Sequence, residues 1–204
     1  MVLLIGVAAS GKSTFARRHF APTEILSSDA LRAVITDDPQ AQAATDDAFD
    51  LLHRILAMRL RRGRLTVVDA TNVEAWARAE LIAVARRHRR PSVAIVLDLP
   101  LEVALARNLA RAEPRPPAAA VRRQHRWLTD TLGELASEGY AVVHHLRAAA
   151  GEDADALHVA RQLVFLAMLP DRGRLWESPI SGILTFRKRS SALCPRPQRV
   201  SAST

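Results

Sequence analysis

The chain has 204 residues, 49% of them hydrophobic and 25% charged, enough for one domain around one sizeable core. No apolar run approaches the ~18 residues needed to cross a bilayer, the longest candidate being Leu163 to Leu169. Met1 to Gly11 lacks the basic region and cleavage site of a secretory leader. The single cysteine, Cys194, excludes an intramolecular disulfide framework and a Cys-based zinc site, so a cytoplasmic location with no membrane partner is expected. The net charge of +8 is uneven. Residues 170–204 hold seven basic and two acidic side chains (+5), and the other 169 residues hold 22 and 19 (+3). The body is nearly balanced, so basicity alone argues weakly for a polyanionic partner.

In chain order, Val2 to Val7 is a continuous apolar run, expected of a strand buried on both faces. A helix is expected over Lys12 to Phe20, a strand over Glu24 to Ser28, and a helix from Asp29 to Ile35. Residues 36–44 read as a loop. Thr45 is placed to cap a helix whose first turn carries Asp46 and Asp47. Its apolar positions Ala48, Leu51, Leu52, Ile55 and Leu56 recur at helical spacing, and Gly63 ends it. Leu65 to Val68 is a third strand, ending at Asp69. Asn72 is a candidate cap for a helix to about His88, and Ser92 to Leu97 is a fourth strand.

Leu101 to Ala110 is helical, the three prolines of residues 112–117 break it, and a helix resumes from Ala118 to about Glu138. Tyr140 to His144 is a last strand. This alternation predicts an α/β fold with a parallel sheet flanked by helices, in three layers. We expect residues 1–148 to form the domain, 149–169 to be compatible with one more helix, and 170–204 to be a basic, Pro/Ser-rich flexible tail.

Gly6-Val7-Ala8-Ala9-Ser10-Gly11-Lys12-Ser13 fits G-x-x-x-x-G-K-[ST], after a buried-type strand and opening a helix. Backbone N–H groups of such a loop wrap phosphates at a helix N-terminus. Gly6, Ala8, Ala9, Ser10, Gly11, Lys12, Ser13 and Thr14 are thus the nucleotide-binding positions, for ATP or another NTP. Lys12 suits the β- and γ-phosphates and the Ser13 hydroxyl suits Mg²⁺.

Asp29 and Arg32 sit where the second strand ends, the edge at which parallel sheets gather ligands. Asp29 there either accepts a proton from an attacking hydroxyl or caps a helix with an i,i+3 ion pair to Arg32. Asp69 ends the third strand as a metal-side carboxylate or a loop cap. Arg107 and Arg111, one turn apart before the proline break, are either a lid over phosphoryl oxygens or a solvated arginine face. The seven histidines show no metal-site spacing, and 4% aromatic content argues against a stacking-driven single-strand binder.

Together GVAASGKSTFARRHF, PTEILSSDALR, TDDPQAQAATDDAFDLLH, GRLTVVDATN, PSVAIVLDLP and RRQ at 122–124 resemble the kinase module of bacterial polynucleotide kinase-phosphatase. The resemblance covers about residues 1–145. It implies an adenylate-kinase-like P-loop fold and phosphorylation of a DNA or RNA 5′-OH end with ATP and Mg²⁺. By the family motif, Lys12 and Ser13 bind nucleotide and metal, Asp29 is the general base, Arg32 engages the substrate's 3′ phosphate, and Arg107 and Arg111 form the lid. Nothing after residue 148 resembles the family's phosphatase or ligase-like domains, which leaves open whether a separate phosphatase or ligase is a partner. The rival readings are a P-loop kinase of a small metabolite and a non-catalytic ATP-binding module.

Overall fold

The computed structural model describes residues 1–112 and 115–147. Four consecutive apolar residues, Val2–Ile5, form β1, and all four are wholly buried because β1 lies at the centre of the sheet. Beside it run β3 (Val67–Asp69), with Leu4 opposite Asp69, and β4 (Val93–Asp98), with Val2 opposite Val93. Outside these lie β2 (Ile25–Ser27), with Ser27 opposite Asp69, and β5 (Val142–Arg147), with Asp98 opposite Arg147. All pairings are parallel, in the order β2-β3-β1-β4-β5. The order reverses at β1, so the crevice beyond its carboxyl end is where a ligand is expected.

Alternation along the strands sorts the core into two layers. Leu3, Ile5, Val68 and Val96 face one side. There they meet α3 (Thr45–Arg61), α4 (Ala75–Arg87) and α6 (Ala118–Thr131). Helix α3 buries Ala48, Leu52, Leu56 and Leu60, a four-residue spacing that keeps one stripe on the sheet. Val2, Leu4, Val67 and Ile95 face the other side, against Phe15 and Ala16 of α1 (Lys12–His19). Two further helices, α2 (Ser28–Thr36) and α5 (Leu101–Leu109), lead from the ends of β2 and β4. The expected three-layer sheet with flanking helices is thus observed.

Several local expectations are corrected. Thr45 does not cap α3: Ala44 holds that position, and the Thr45 hydroxyl is buried with no partner among the described residues. Asn72 does not cap α4, which starts after Glu74 without a side-chain cap. It adopts a left-handed backbone (φ 48°), which Asn tolerates, and donates its amide to Leu4 O at 2.8 Å, because the loop lies against β1 rather than over a helix end. The helix from Ala118 stops at Thr131; Gly133 follows in a turn, and Leu135–Ser137 is one 3-10 turn. The last strand starts later and runs on to Arg147, because β4 offers it a partner as far as Asp98. The expected helix in 149–169 and the tail at 170–204 lie outside the described residues.

Candidate active site

Residues 6–11 join β1 to α1 and, with Lys12 and Ser13 at the start of α1, form the phosphate loop. Gly6 is dictated by close approach: a Cβ there would stand 2.9 Å from Leu97 O of β4 and 2.7 Å from Ser10 Oγ. Gly11, at the start of α1, has φ 97°, a conformation that costs other residues strain. The Gly6 N–H donates to Thr71 O at 3.0 Å, which ties the loop to the turn after β3.

Lys12 is buried, and its Nζ donates to Val7 O at 2.8 Å and to Ser10 Oγ at 3.4 Å. Burial pushes its pKa down to about 8, and the charge of Arg111 pushes the same way; Asp69 and Asp29 oppose them. A desolvated ammonium ringed by neutral oxygens is a site that an anionic phosphate completes.

Asp69, at the end of β3, is buried, which raises its pKa. A hydrogen bond from the Ser13 hydroxyl and the charge of Lys12 act against that rise, and Arg17, one turn along α1 from Ser13, acts with them. Ser13 and Asp69 therefore present a hydroxyl and a carboxylate side by side at the loop. These hard oxygen donors suit Mg²⁺, which binds through one or two protein oxygens and takes the rest from phosphates and water. Among the described residues no cluster of three His, Cys, Asp or Glu side chains could hold a metal.

Across from the loop, Ser27 caps α2, its hydroxyl accepting from the Ala30 N–H at 3.4 Å. Asp29 is thus released from capping and stands in the first turn with 59% of its side chain exposed. It pairs through Oδ1 with Arg32, whose side chain is only 11% exposed and also donates through Nε to Pro39 O at 3.0 Å. The Ser28 hydroxyl shares the same Oδ1 at 3.4 Å, and Asp29 Oδ2 has no partner among the described residues. The ion pair considered from sequence is present. It leaves one carboxylate oxygen open.

The arginine segment is only partly gathered. Arg111, just past α5, lies near enough for its charge to act on Lys12. Arg107, in the last turn of α5, is exposed and makes no hydrogen bond or ion pair among the described residues. The proline break is held at its two ends: Asn108 Nδ2 donates to Pro116 O at 2.8 Å, and Arg115 Nη1 donates to Leu109 O at 2.8 Å.

Two residues missed by sequence reasoning also bear on the site. Arg78 of α4, fully buried, donates to Asn72 O at 3.1 Å and to Val73 O at 2.9 Å, and pairs with Glu138. It thereby fixes the turn that follows Asp69. Gln124 of α6 accepts the Ala8 N–H of the phosphate loop through Oε1 at 2.8 Å. Glu138 lies 60 residues from Arg78 and Ala8 lies 116 from Gln124, so no local spacing signals either of these contacts.

A phosphate loop with its lysine, serine and strand-end carboxylate, on this sheet, defines a P-loop kinase-like fold. Residues 1–135 match the AAA_33 family, an AAA domain, and the chain belongs to it. Among solved structures it is similar to a candidate kinase from Chloroflexus aurantiacus (TM-score 0.59, 16% identity, over 81% of this chain and 93% of that one). It is also similar to a chain of the Pnkp1/Rnl/Hen1 RNA repair complex (0.58, 23%, over 66% and 45%) and to a gluconokinase from Sinorhizobium meliloti (0.50, 18%, over 82% and 90%). The present chain thus spans less than half of the repair-complex chain. At these identities the likeness is one of fold. No curated protein gives a match.

Proposed function

We propose that the protein transfers the γ-phosphoryl group of ATP or another NTP to the 5′-OH of a DNA or RNA end. The observation that carries this reading is the Asp29–Arg32 pair, facing the phosphate loop from α2 with Asp29 open to solvent. An acceptor carboxylate in the open admits the end of a polymer, whereas a small polyol is better held by a closed pocket.

In this reading the acceptor hydroxyl gives its proton to Asp29 Oδ2 as its oxygen bonds to the γ-phosphorus, and the bond to the leaving nucleoside diphosphate breaks. Arg32 is already held against the same carboxylate, and it turns a bidentate guanidinium toward the phosphate on the 3′ side of the acceptor nucleotide. Lys12 offsets charge on the donor phosphates, with Arg111 nearby and Arg107 brought in by movement of the segment past α5. Mg²⁺, held through Ser13 and Asp69, would neutralise charge on the β- and γ-oxygens.

The small-metabolite reading draws support from the gluconokinase likeness. A single experiment separates the two: γ-labelled ATP and Mg²⁺ are incubated with 5′-OH oligonucleotides and, in parallel, with gluconate and small polyols. We expect label on the oligonucleotide. Label on small alcohols alone supports the rival, and nucleotide binding without transfer supports a non-catalytic module. The likeness to a chain of the Pnkp1/Rnl/Hen1 RNA repair complex supports a further part of this proposal, that a separate phosphatase or ligase works beside it on the same ends.

A further inference from the structure

We infer that Gln124 contacts the terminal phosphate of the bound donor, acting as a relay that carries the Ala8 N–H donor outward from the loop. The inference rests on the phosphate-loop reading above and is independent of the acceptor.

The argument starts from the chemistry of the contact. The Ala8 N–H can only donate, so the Gln124 atom facing it at 2.8 Å is the carboxamide oxygen, and this fixes the orientation of the amide. The Nε2 group is thereby turned away from Ala8, with two N–H donors and no partner among the described residues. The Val7–Ala8 peptide lies beside the Lys12 ammonium, since Lys12 Nζ donates to Val7 O at 2.8 Å. Lysine at this motif position serves the β- and γ-phosphates, and N–H groups of such a loop point into the phosphate cradle, so the amide stands at the rim of that cradle, across the Val7–Ala8 peptide from Lys12.

Gln124 is also rigidly carried. Val121 and Leu128, three residues before it and four after it on α6, are wholly buried in the core under the sheet. Their anchoring puts Gln124 on the inward face of the helix. A phosphate is an acceptor-only group at this position, and the free end of the amide is a donor. The loop has thus exchanged one backbone N–H for a side-chain N–H that reaches farther out and belongs to a different element.

Binding of ATP and of ADP, each with Mg²⁺ and no acceptor, tests this in the full chain by calorimetry. Gln124→Glu keeps the oxygen for Ala8 but replaces the outward donor with an anionic oxygen; Gln124→Ala removes both. We expect the Glu variant to bind ATP about tenfold or more weakly, and more weakly than the Ala variant. ADP affinity should stay within about threefold of wild type in both. A residue that only braces the loop predicts the reverse order, because Glu preserves the brace. A Glu variant equal to wild type, an Ala variant weaker than Glu, or equal losses for ATP and ADP would overturn the inference.

Should the Glu variant fail to fold, Gln124→Met keeps the side-chain length without polar atoms and must show the same selective loss of ATP affinity. Wild-type protein that binds neither nucleotide overturns both this inference and the phosphate-loop reading. Failure of the polynucleotide reading is a separate result, seen as wild-type protein that binds ATP yet leaves a 5′-OH oligonucleotide unlabelled.

Discussion

Lys12 sits where charge is costly unless paired, held by a carbonyl and a hydroxyl with burial drawing its pKa down to about 8. Its ammonium is stabilised when phosphate arrives, which is how a buried cation becomes an affinity determinant. Lys12→Ala should therefore cut transfer to any acceptor by roughly 10² or more, the scale for losing one preorganised charge-stabilising group. Unchanged turnover in that variant would remove the phosphate-loop assignment. The same residue-scale logic separates Asp29 from its neighbour Ser27. Because Ser27 supplies the cap, α2 does not need Asp29 for its start, and a substitution there is expected to act on chemistry rather than on folding.

At the scale of elements, the turn between β3 and α4 is held from three sides. Asn72 bonds back to β1, Thr71 accepts from Gly6, and Arg78 donates to two carbonyls of the turn while pairing with Glu138. Arg78→Leu leaves the Glu138 carboxylate and two buried carbonyls without their partner. It should cost about 3–5 kcal/mol of stability, read as a lower denaturation midpoint; a variant as stable as wild type would show that the turn holds itself. Strand β5 carries a different liability. His144 pairs in register with Ile95, its Nε2 is buried without a partner among the described residues, and burial holds its pKa below the usual 6.5.

The unfolded chain thus takes up a proton near pH 6.5 that the folded chain resists, so stability falls as pH drops through that range and no such loss exists above it. His144→Leu should flatten the stability profile below pH 6.5. An unaltered slope in that variant would assign the acid sensitivity to other groups.

Across the whole molecule, what was legible in sequence is what local pattern determines. The strand–helix alternation, the apolar positions Ala48, Leu52 and Leu56 of α3 and the loop motif from Gly6 to Ser13 all depend on near neighbours, and each was found where expected. The expected cap at Asn72 fails because a bond to Leu4 O, not the adjoining helix, orients its side chain, and the one at Thr45 fails because Thr45 already has helical backbone (φ −62°, ψ −46°). Arg78 carries no local signal of its role, and its burial becomes evident only with Glu138 folded beside it. Gln124 was visible only as a letter in a matched segment, since its meaning depends on α6 lying against the phosphate loop.

The same limit applies to the acceptor: fold and loop define the donor half of the reaction, and the acceptor half rests on Asp29 and Arg32. The most direct test is therefore the rate of label transfer from γ-labelled ATP to a 5′-OH oligonucleotide by wild type and Asp29→Asn, with ATP affinity measured alongside. Asn preserves size and hydrogen bonding but cannot take the proton, so transfer should fall by roughly 10² or more while ATP binding holds. Near-normal turnover by Asp29→Asn would contradict the proposed mechanism.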